Sequence, residues 1–524
     1  MYQPNQVGFS YDTPTNGTVD LLVGDMFVPP RTLPRNRSSS VFLNGTFASL
    51  DPRNTASTTK DAAVGIWHML QGFLDVFPQY NPPGNDSLGV NLFAESYGGK
   101  YGPIFAETWE QQNDKHRNGS LTNSTLDINL VSLGIMNGCI DDKIQNSFYT
   151  AMAVNNSYGL QLLNPVRAKL ANATFYQPGG CRDQIAQCRN ATSAPRPGDP
   201  DATDAANKIC HLATLTCNSL IEAYLETGRS VYDLAYLKPA FFPSLLYIEY
   251  LNSRAVQEAI GSVVNYTDTS SVVYSAFMST GDWVRDSIVP KLASLLARGV
   301  RIGLIYGDRD YICNWLGGEA VSLSIASSIG GSYASSFPTA GYAPIIVNDS
   351  YIGGVVRQFG NLSFSRIYQA GHFVPAYQPE TAFQVFARII TGTSLSTGEV
   401  IDLASYNTSG SAAASSSLNL PPSPRPTCFL RDLQNSCQAE AVQSILNGEG
   451  AIINGVWYAA SSEWPGATST ISSLGSSSSP TMSPTLTGLF TATATPEDSG
   501  PGVSASGSRT LLILGFLCVL CFVA

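Results

Sequence analysis

The chain has 524 residues, a formal net charge of −10 and only 13% charged residues against 44% hydrophobic ones. An acidic chain without a basic patch is a poor partner for nucleic acid, and four histidines leave little material for a His-rich metal site. A nucleic-acid-binding protein and a coiled coil are thereby excluded, while the apolar share is ample for a large core.

At the front, Met1 runs straight into Tyr2-Gln3-Pro4-Asn5-Gln6 with neither a basic region nor an apolar stretch of signal-peptide length. Thirteen Asn-x-Ser/Thr tripeptides follow, at Asn16, Asn36, Asn44, Asn85, Asn118, Asn123, Asn155, Asn172, Asn190, Asn265, Asn348, Asn361 and Asn407. N-linked glycans at such sites would solubilise a surface poor in charge, and they occur only on secreted chains.

The first chemically informative segment is a β-prone run over residues 88–93. It leads into Ala94-Glu95-Ser96-Tyr97-Gly98-Gly99 and a predicted helix over 101–112. Small residues let a strand turn sharply into a helix, which lifts a serine hydroxyl above the sheet edge. The amide of Tyr97 and the positive end of the helix would then face a developing oxyanion. Ala94 stands where the usual pattern has its first glycine.

Next comes a cysteine-rich stretch. Cys181, Cys188, Cys210 and Cys217 read as a small disulfide framework of an oxidising compartment, and Cys428 with Cys437 as a short closed loop. Cys139 and Cys313 have no evident partner. A predicted helix over 289–296 and a strand over 300–306 then end in Gly307-Asp308-Arg309-Asp310-Tyr311-Ile312-Cys313-Asn314-Trp315. A further strand over 364–369 ends in Ala370-Gly371-His372-Phe373-Val374-Pro375, before a helix over 383–390. His68, His116 and His211 lie in polar or helical contexts and read as surface or core residues. Ser96, Asp310 and His372 stand in the chain order of α/β-hydrolase triads, with Ser96 as nucleophile, His372 as base and Asp310 as its orienting acid.

Between Gly466 and Gly500, 17 of 35 residues are Ser or Thr, a composition that cannot bury enough apolar surface to fold and suits an O-glycosylated stalk. Residues 511–524 form an uncharged apolar run. It is too short to span a bilayer comfortably and, behind small residues and a polar spacer, is similar to a glycosylphosphatidylinositol attachment signal.

Val7-Gly8-Phe9-Ser10-Tyr11, Glu95-Ser96-Tyr97-Gly98-Gly99, the segment from Gly307 to Trp315, and Gly371-His372-x-Val374-Pro375 resemble the serine carboxypeptidase family, particularly its secreted fungal branch. The resemblance runs from Tyr2 to about Gly392. It implies an α/β-hydrolase fold with an inserted cap at about 139–245, no cofactor and no metal. The implied reaction is release of C-terminal residues from peptides at acidic pH, with Asp310 rather than Asp308 as the triad acid and Asp308 as a turn residue. Glu95 matches the family's carboxylate-recognition glutamate, a buried acid kept protonated so that it can donate to the substrate's terminus; a helix-start carboxylate is the other reading. Tyr97, Asn314 and Trp315 would shape the substrate pocket, or Asn314 and Trp315 merely pack.

One departure stands out. The family's Trp-x-Asn-Gly-Gly-Pro-Gly-type segment, which supplies a second oxyanion donor and early strands, has no counterpart in the sequence. A missing donor costs about 10²–10³ in rate, so the chain is expected to be truncated at its front, poorly folded and nearly inactive as written.

The expected organisation is a hydrolase domain at 1–395, a post-domain segment at 396–465, a stalk at 466–510 and an attachment signal at 511–524. Peptide or protein C-termini are the expected partners, with N- and O-linked glycans, no nucleic acid, and a membrane reached only through a lipid anchor. The competing functions are a carboxypeptidase-like acyltransferase and a non-catalytic cell-surface glycoprotein of the same fold.

Overall fold

Buried parallel strands read as near-continuous apolar runs because both sheet faces are covered, and the segments flanking the three motifs have that character. The computed structural model describes residues 4–32, 39–80, 89–121, 125–193, 200–239, 242–414 and 416–466. Near the start, β1 (Thr15–Asp20), β2 (Asp25–Phe27) and β3 (Phe42–Phe47) form a small antiparallel sheet in the order β2-β1-β3. The central sheet holds β4 (Val90–Glu95), β5 (Leu130–Met136), β6 (Arg301–Gly307), β7 (Ala343–Asn348), β8 (Tyr351–Phe359) and β9 (Leu362–Ile367) in the order β4-β5-β6-β9-β8-β7. Pairing is parallel from β4 through β5 and β6 to β9, then antiparallel through β8 to β7. A third small sheet has the order β10 (Cys428–Phe429), β12 (Val456–Tyr458), β11 (Ala451–Ile453).

Seven helices matter for the sheet and the site. They are α1 (Thr59–Val76), α2 (Gly98–Arg117), α3 (Cys181–Ser193), α4 (Pro200–Asn218), α5 (Val289–Ala297), α6 (Trp315–Ile329) and α7 (Pro379–Thr391). Alternation along the strands sends neighbouring side chains to opposite faces. Leu92 and Leu304 join a core with Ile104 of α2, Leu292 of α5 and Val321 of α6. Phe93 and Ile305 join a second core with Val385 and Ile389 of α7. The predicted helix over 101–112 falls within α2, and the strand expected over 300–306 is β6 shifted by one residue.

Between β5 and β6 the chain departs into a helical insertion. In α3 and α4 the cysteines are seven residues apart, which places each pair on one helix face about two turns apart. They close as Cys181–Cys217 and Cys188–Cys210. Cys428 and Cys437 pair as expected, and the two cysteines without an evident partner, Cys139 and Cys313, bond to each other.

Residues beyond 395 return to the sheet. Gly341 N donates to Thr408 O at 3.0 Å, Tyr342 N to Ser411 O at 2.7 Å, and Leu418 N reaches Ser157 O of the insertion at 2.8 Å. Leu430, Leu433 and Ile445 share a core with Leu21 and Val41 at the small N-terminal sheet, and Arg431 pairs with Glu249 at 2.7 Å. Most of the stalk and the whole apolar run, from residue 467 on, lie outside the described residues, as do Asn36, Asn85 and Asn123. Among the described residues no helix is long and apolar enough to cross a membrane.

Candidate active site

Ser96 follows the last residue of β4 and precedes α2 by a single residue, with φ at 60°. Non-glycine residues rarely occupy this left-handed region, and a strained serine at a strand-to-helix turn is what a nucleophile elbow requires. Glycines permit the turn by close approach. A Cβ on Gly98 would stand 2.7 Å from the Cβ of Ala94, and one on Gly99 would stand 2.9 Å from the Cys139 carbonyl. Ala94 can therefore replace the usual first glycine because Gly98, opposite it, has no side chain. Backbone bonds from Ser96 N to Met136 O at 3.1 Å and from Cys139 N to Ser96 O at 3.0 Å fix the elbow against the end of β5.

Asp310 and His372 lie in the loops that leave β6 and β9, which are adjacent parallel strands. His372 Nδ1 stands 2.7 Å from Asp310 Oδ2, and neither side chain has measurable exposure. Asp310 also accepts from Asn137 Nδ2 at 2.8 Å and from the amide of Ile312 at 3.2 Å. With Nδ1 committed to the carboxylate, the histidine presents Nε2, which is buried and has no hydrogen-bond partner among the described residues. The Ser96 hydroxyl is thus not yet bonded to the base, a common looseness before substrate arrives. Burial pulls the His372 pKa down, but the charge and hydrogen bond of Asp310 and the charge of Glu95 outweigh it and hold the imidazole above its ordinary value.

Glu95 is buried beside them, and neither of its carboxylate oxygens has a hydrogen-bond partner among the described residues. Burial drives its pKa from 4.5 up to about 7, opposed by the His372 charge and reinforced by that of Asp310. A carboxylic acid in this setting is neutral in weak acid and can donate a hydrogen bond.

The other residues singled out in the sequence are placed differently. The Tyr97 ring turns into the core, its hydroxyl donating to Asp282 Oδ2 at 2.6 Å, so only its backbone remains near the elbow. Asn314 caps α6, accepting from Gly317 N at 3.0 Å. Trp315 packs under the Arg366 guanidinium, 4.1 Å from its ring centre. Asp308 stands in the turn after β6, as expected, and is fully buried there, accepting from Tyr158 Oη at 2.7 Å and lying 3.5 Å from Arg366. His116 pairs with Asp127 at the surface, His211 with the Met278 carbonyl, and His68 stands edge-on to Trp67. Sequence reasoning missed Asn137. It sits one residue past β5 in the same strand-end context as the three motifs, but Asn-Gly there reads as an ordinary turn. Its Oδ1 accepts from Gly307 N at 3.0 Å while its Nδ2 holds Asp310, so one amide ties the β6 exit to the acid.

A largely parallel sheet flanked by helices, with an elbow serine, an acid and a histidine at the ends of its strands in that order, is the α/β-hydrolase architecture. The serine carboxypeptidase family profile matches residues 1–392. The chain belongs to that family, and its enzyme class is serine-type carboxypeptidase, a hydrolase acting as an exopeptidase.

Carboxypeptidase S1 homolog A of Arthroderma otae is 39% identical over 462 residues, covering 86% of this chain and 70% of that protein. The Trichophyton rubrum protein of the same name is 38% identical over 499 residues, covering 92% of this chain and 74% of its own. Among solved structures, Kex1, a prohormone-processing carboxypeptidase from Saccharomyces cerevisiae, matches with a TM-score of 0.49 and 18% identity over 65% of this chain and 69% of its own.

Proposed function

We propose that the chain releases C-terminal amino acids from peptides in weakly acidic solution, with Ser96 as nucleophile, His372 as general base and acid, and Asp310 as the residue that orients it. The observation that carries this reading is the buried Asp310–His372 contact at 2.7 Å beside a left-handed serine. His372 Nε2 takes the Ser96 proton as Oγ adds to the scissile carbonyl. The oxyanion forms at the Tyr97 amide and the N-terminus of α2. Collapse of the adduct expels the leaving amine with the proton from His372, and water then cleaves the acyl-enzyme by the same sequence. Protonated Glu95 donates to the substrate's terminal carboxylate, which restricts tight binding to pH values below its raised pKa.

Secretion is part of the proposal. The four disulfides among the described residues suit an oxidising compartment, and Asn16, Asn44, Asn118, Asn155, Asn172, Asn190, Asn348 and Asn407 are exposed to receive glycans. O-glycosylation of the stalk and a lipid anchor at the C-terminus complete the reading.

The decisive experiment treats the full chain with a serine-directed phosphonate and assays an N-blocked dipeptide at about pH 4–6. Labelling at Ser96 and slow hydrolysis, about 10²–10³-fold below a site with two oxyanion donors, are expected, with loss of both in Ser96→Ala. Absence of labelling in correctly folded parent protein would overturn the assignment.

A further inference from the structure

Residues 230–236 leave the helical insertion and run as a strap across the exits of β6 and β9. The strap is closed on itself, with Ser230 N donating to Tyr236 O and Ala235 N to Asp233 Oδ1, each at 2.9 Å. Outwardly it binds both loops of the site. The amides of Tyr311 and Ile312 each donate to the Val231 carbonyl at 3.0 Å, and the amide of His372 donates to the Tyr232 carbonyl at 2.8 Å. Leu234 N returns a bond to the Arg309 carbonyl at 2.9 Å. Peptide groups on either side of Asp310, and that of His372 itself, are thus held by one short segment. The contact is close: a Cβ on Gly371 would fall 2.6 Å from the Tyr232 carbonyl.

One ion pair fastens the strap. Asp233 Oδ2 lies 3.0 Å from Arg309 Nη2, and the two side chains are 1% and 0% exposed. Arg309 is further enclosed by the rings of Tyr236 and Tyr377, with centres 5.3 and 5.0 Å away. A buried ion pair is a weak source of stability, since its desolvation cost offsets most of its attraction, and well-packed apolar residues often do as well. A pair located next to the triad acid in sequence, joining the two loops that must be aligned, has a geometric use instead.

We infer that Asp233 is a positioning residue for the reaction. By pairing with Arg309 it clamps the strap, and the strap's carbonyls hold Asp310 and His372 at the alignment that proton transfer requires. The inference rests on the triad reading above.

The test uses the full chain as parent, Asp233→Asn, Asp233→Glu, and the double variant Asp233→Leu with Arg309→Met, each titrated with phosphonate to count active sites. Failure of the parent to label would sink the triad itself, separately from anything Asp233 does. With the parent labelled, Asp233→Asn is expected to lower kcat by roughly 10²-fold at unchanged KM, the size of effect a misplacement of about 1 Å produces. Asp233→Glu recovers part of it. The double variant, which leaves no buried charge unpaired, regains the parent melting temperature but keeps the low kcat, and its low-field His372 Nδ1 proton resonance is displaced. Should the asparagine variant fail to fold, the double variant decides alone. Recovery of kcat together with melting temperature there, or full kcat in a destabilised Asp233→Asn, overturns the inference.

Discussion

Replacing Glu95 with glutamine separates the electrostatics of the site from its shape. The carboxyl is fully buried, neither oxygen is hydrogen-bonded among the described residues, and burial raises its pKa from 4.5 to about 7. An acid whose folded pKa lies above its unfolded one keeps a proton that the unfolded chain has already released. Its stabilising effect is therefore complete below the unfolded value and declines as pH rises through the folded one. At about 1.4 kcal/mol per unit, the shift corresponds to about 3 kcal/mol lost between the two values. Glutamine keeps the shape and never ionises, so Glu95→Gln lacks that decline. The histidine adds to the contrast. His372 is held above its ordinary value partly by Glu95, so its own contribution also fades as pH rises, and the substitution reduces it.

Urea unfolding of both proteins at several pH values from about 4 to 8 should give a parent curve steeper by about 3 kcal/mol across the window. In kinetics, the parent KM for a substrate with a free C-terminus should climb as Glu95 ionises, while that of Glu95→Gln stays flat. Parallel stability curves together with parallel KM profiles would refute the claim that Glu95 is a neutral, buried acid at the site.

Asn137→Gly, which keeps the φ of 40° accessible while removing the amide that holds Asp310, should reduce kcat by about 10- to 100-fold at similar KM, the weight of a hydrogen bond to a charged group. Unaltered kcat would leave Asn137 a turn residue. Removing Cys139–Cys313, which closes 174 residues, should cost about 5 kcal/mol and lower kcat as well, whereas Cys428–Cys437, closing 9, should cost about 3 kcal/mol with kcat retained. Thermal melts of the paired serine variants check the order, and the reverse order would contradict it. Glycopeptide mapping of the secreted chain should find Asn155, Asn172 and Asn190 occupied and Asn265 bare. The Asn265 amide is engaged within the fold, accepting from Thr46 N at 3.1 Å and donating to Asn252 Oδ1 at 3.1 Å, so a glycan there would contradict the fold around β3.

What was legible in the sequence is what has a local signature. Buried parallel strands give apolar runs, and a serine elbow needs small residues on both sides. Hence β4, β6, β9 and the residues Glu95, Ser96, Asp310 and His372 could be found without coordinates. Pairings set by the tertiary fold have no such signature. Cys139 and Cys313 are far apart in the chain and meet only because β5 and β6 are neighbours. The residues after 395 give weak patterns, yet they bond along the sheet and pack on β1 and β3, because much of their apolar surface is buried against parts of the chain hundreds of residues away. Asn314 and Trp315 lie in the most distinctive motif, and that motif records a helix start as well as an acid: the first caps α6 and the second stacks under Arg366.

The choice between the acids of Asp308-Arg309-Asp310 shows how the surroundings assign roles that residue type alone cannot. All three charges are buried in succession, and each is taken by a different partner. Asp308 is met by Tyr158 and Arg366, and Arg309 by Asp233. With its neighbours occupied, Asp310 is hydrogen-bonded among the described residues by the neutral Asn137 amide, a backbone N–H and His372. A cation beside Asp310 would compete with the imidazolium for its charge; here the two available arginines are each bound to another carboxylate. Asp308 is the less suitable triad acid for the same reason, since the arginine next to it already uses the charge that a histidine would need. The buried pairs around the site therefore leave one carboxylate committed to the histidine, and this follows from which strands are adjacent rather than from the triplet itself.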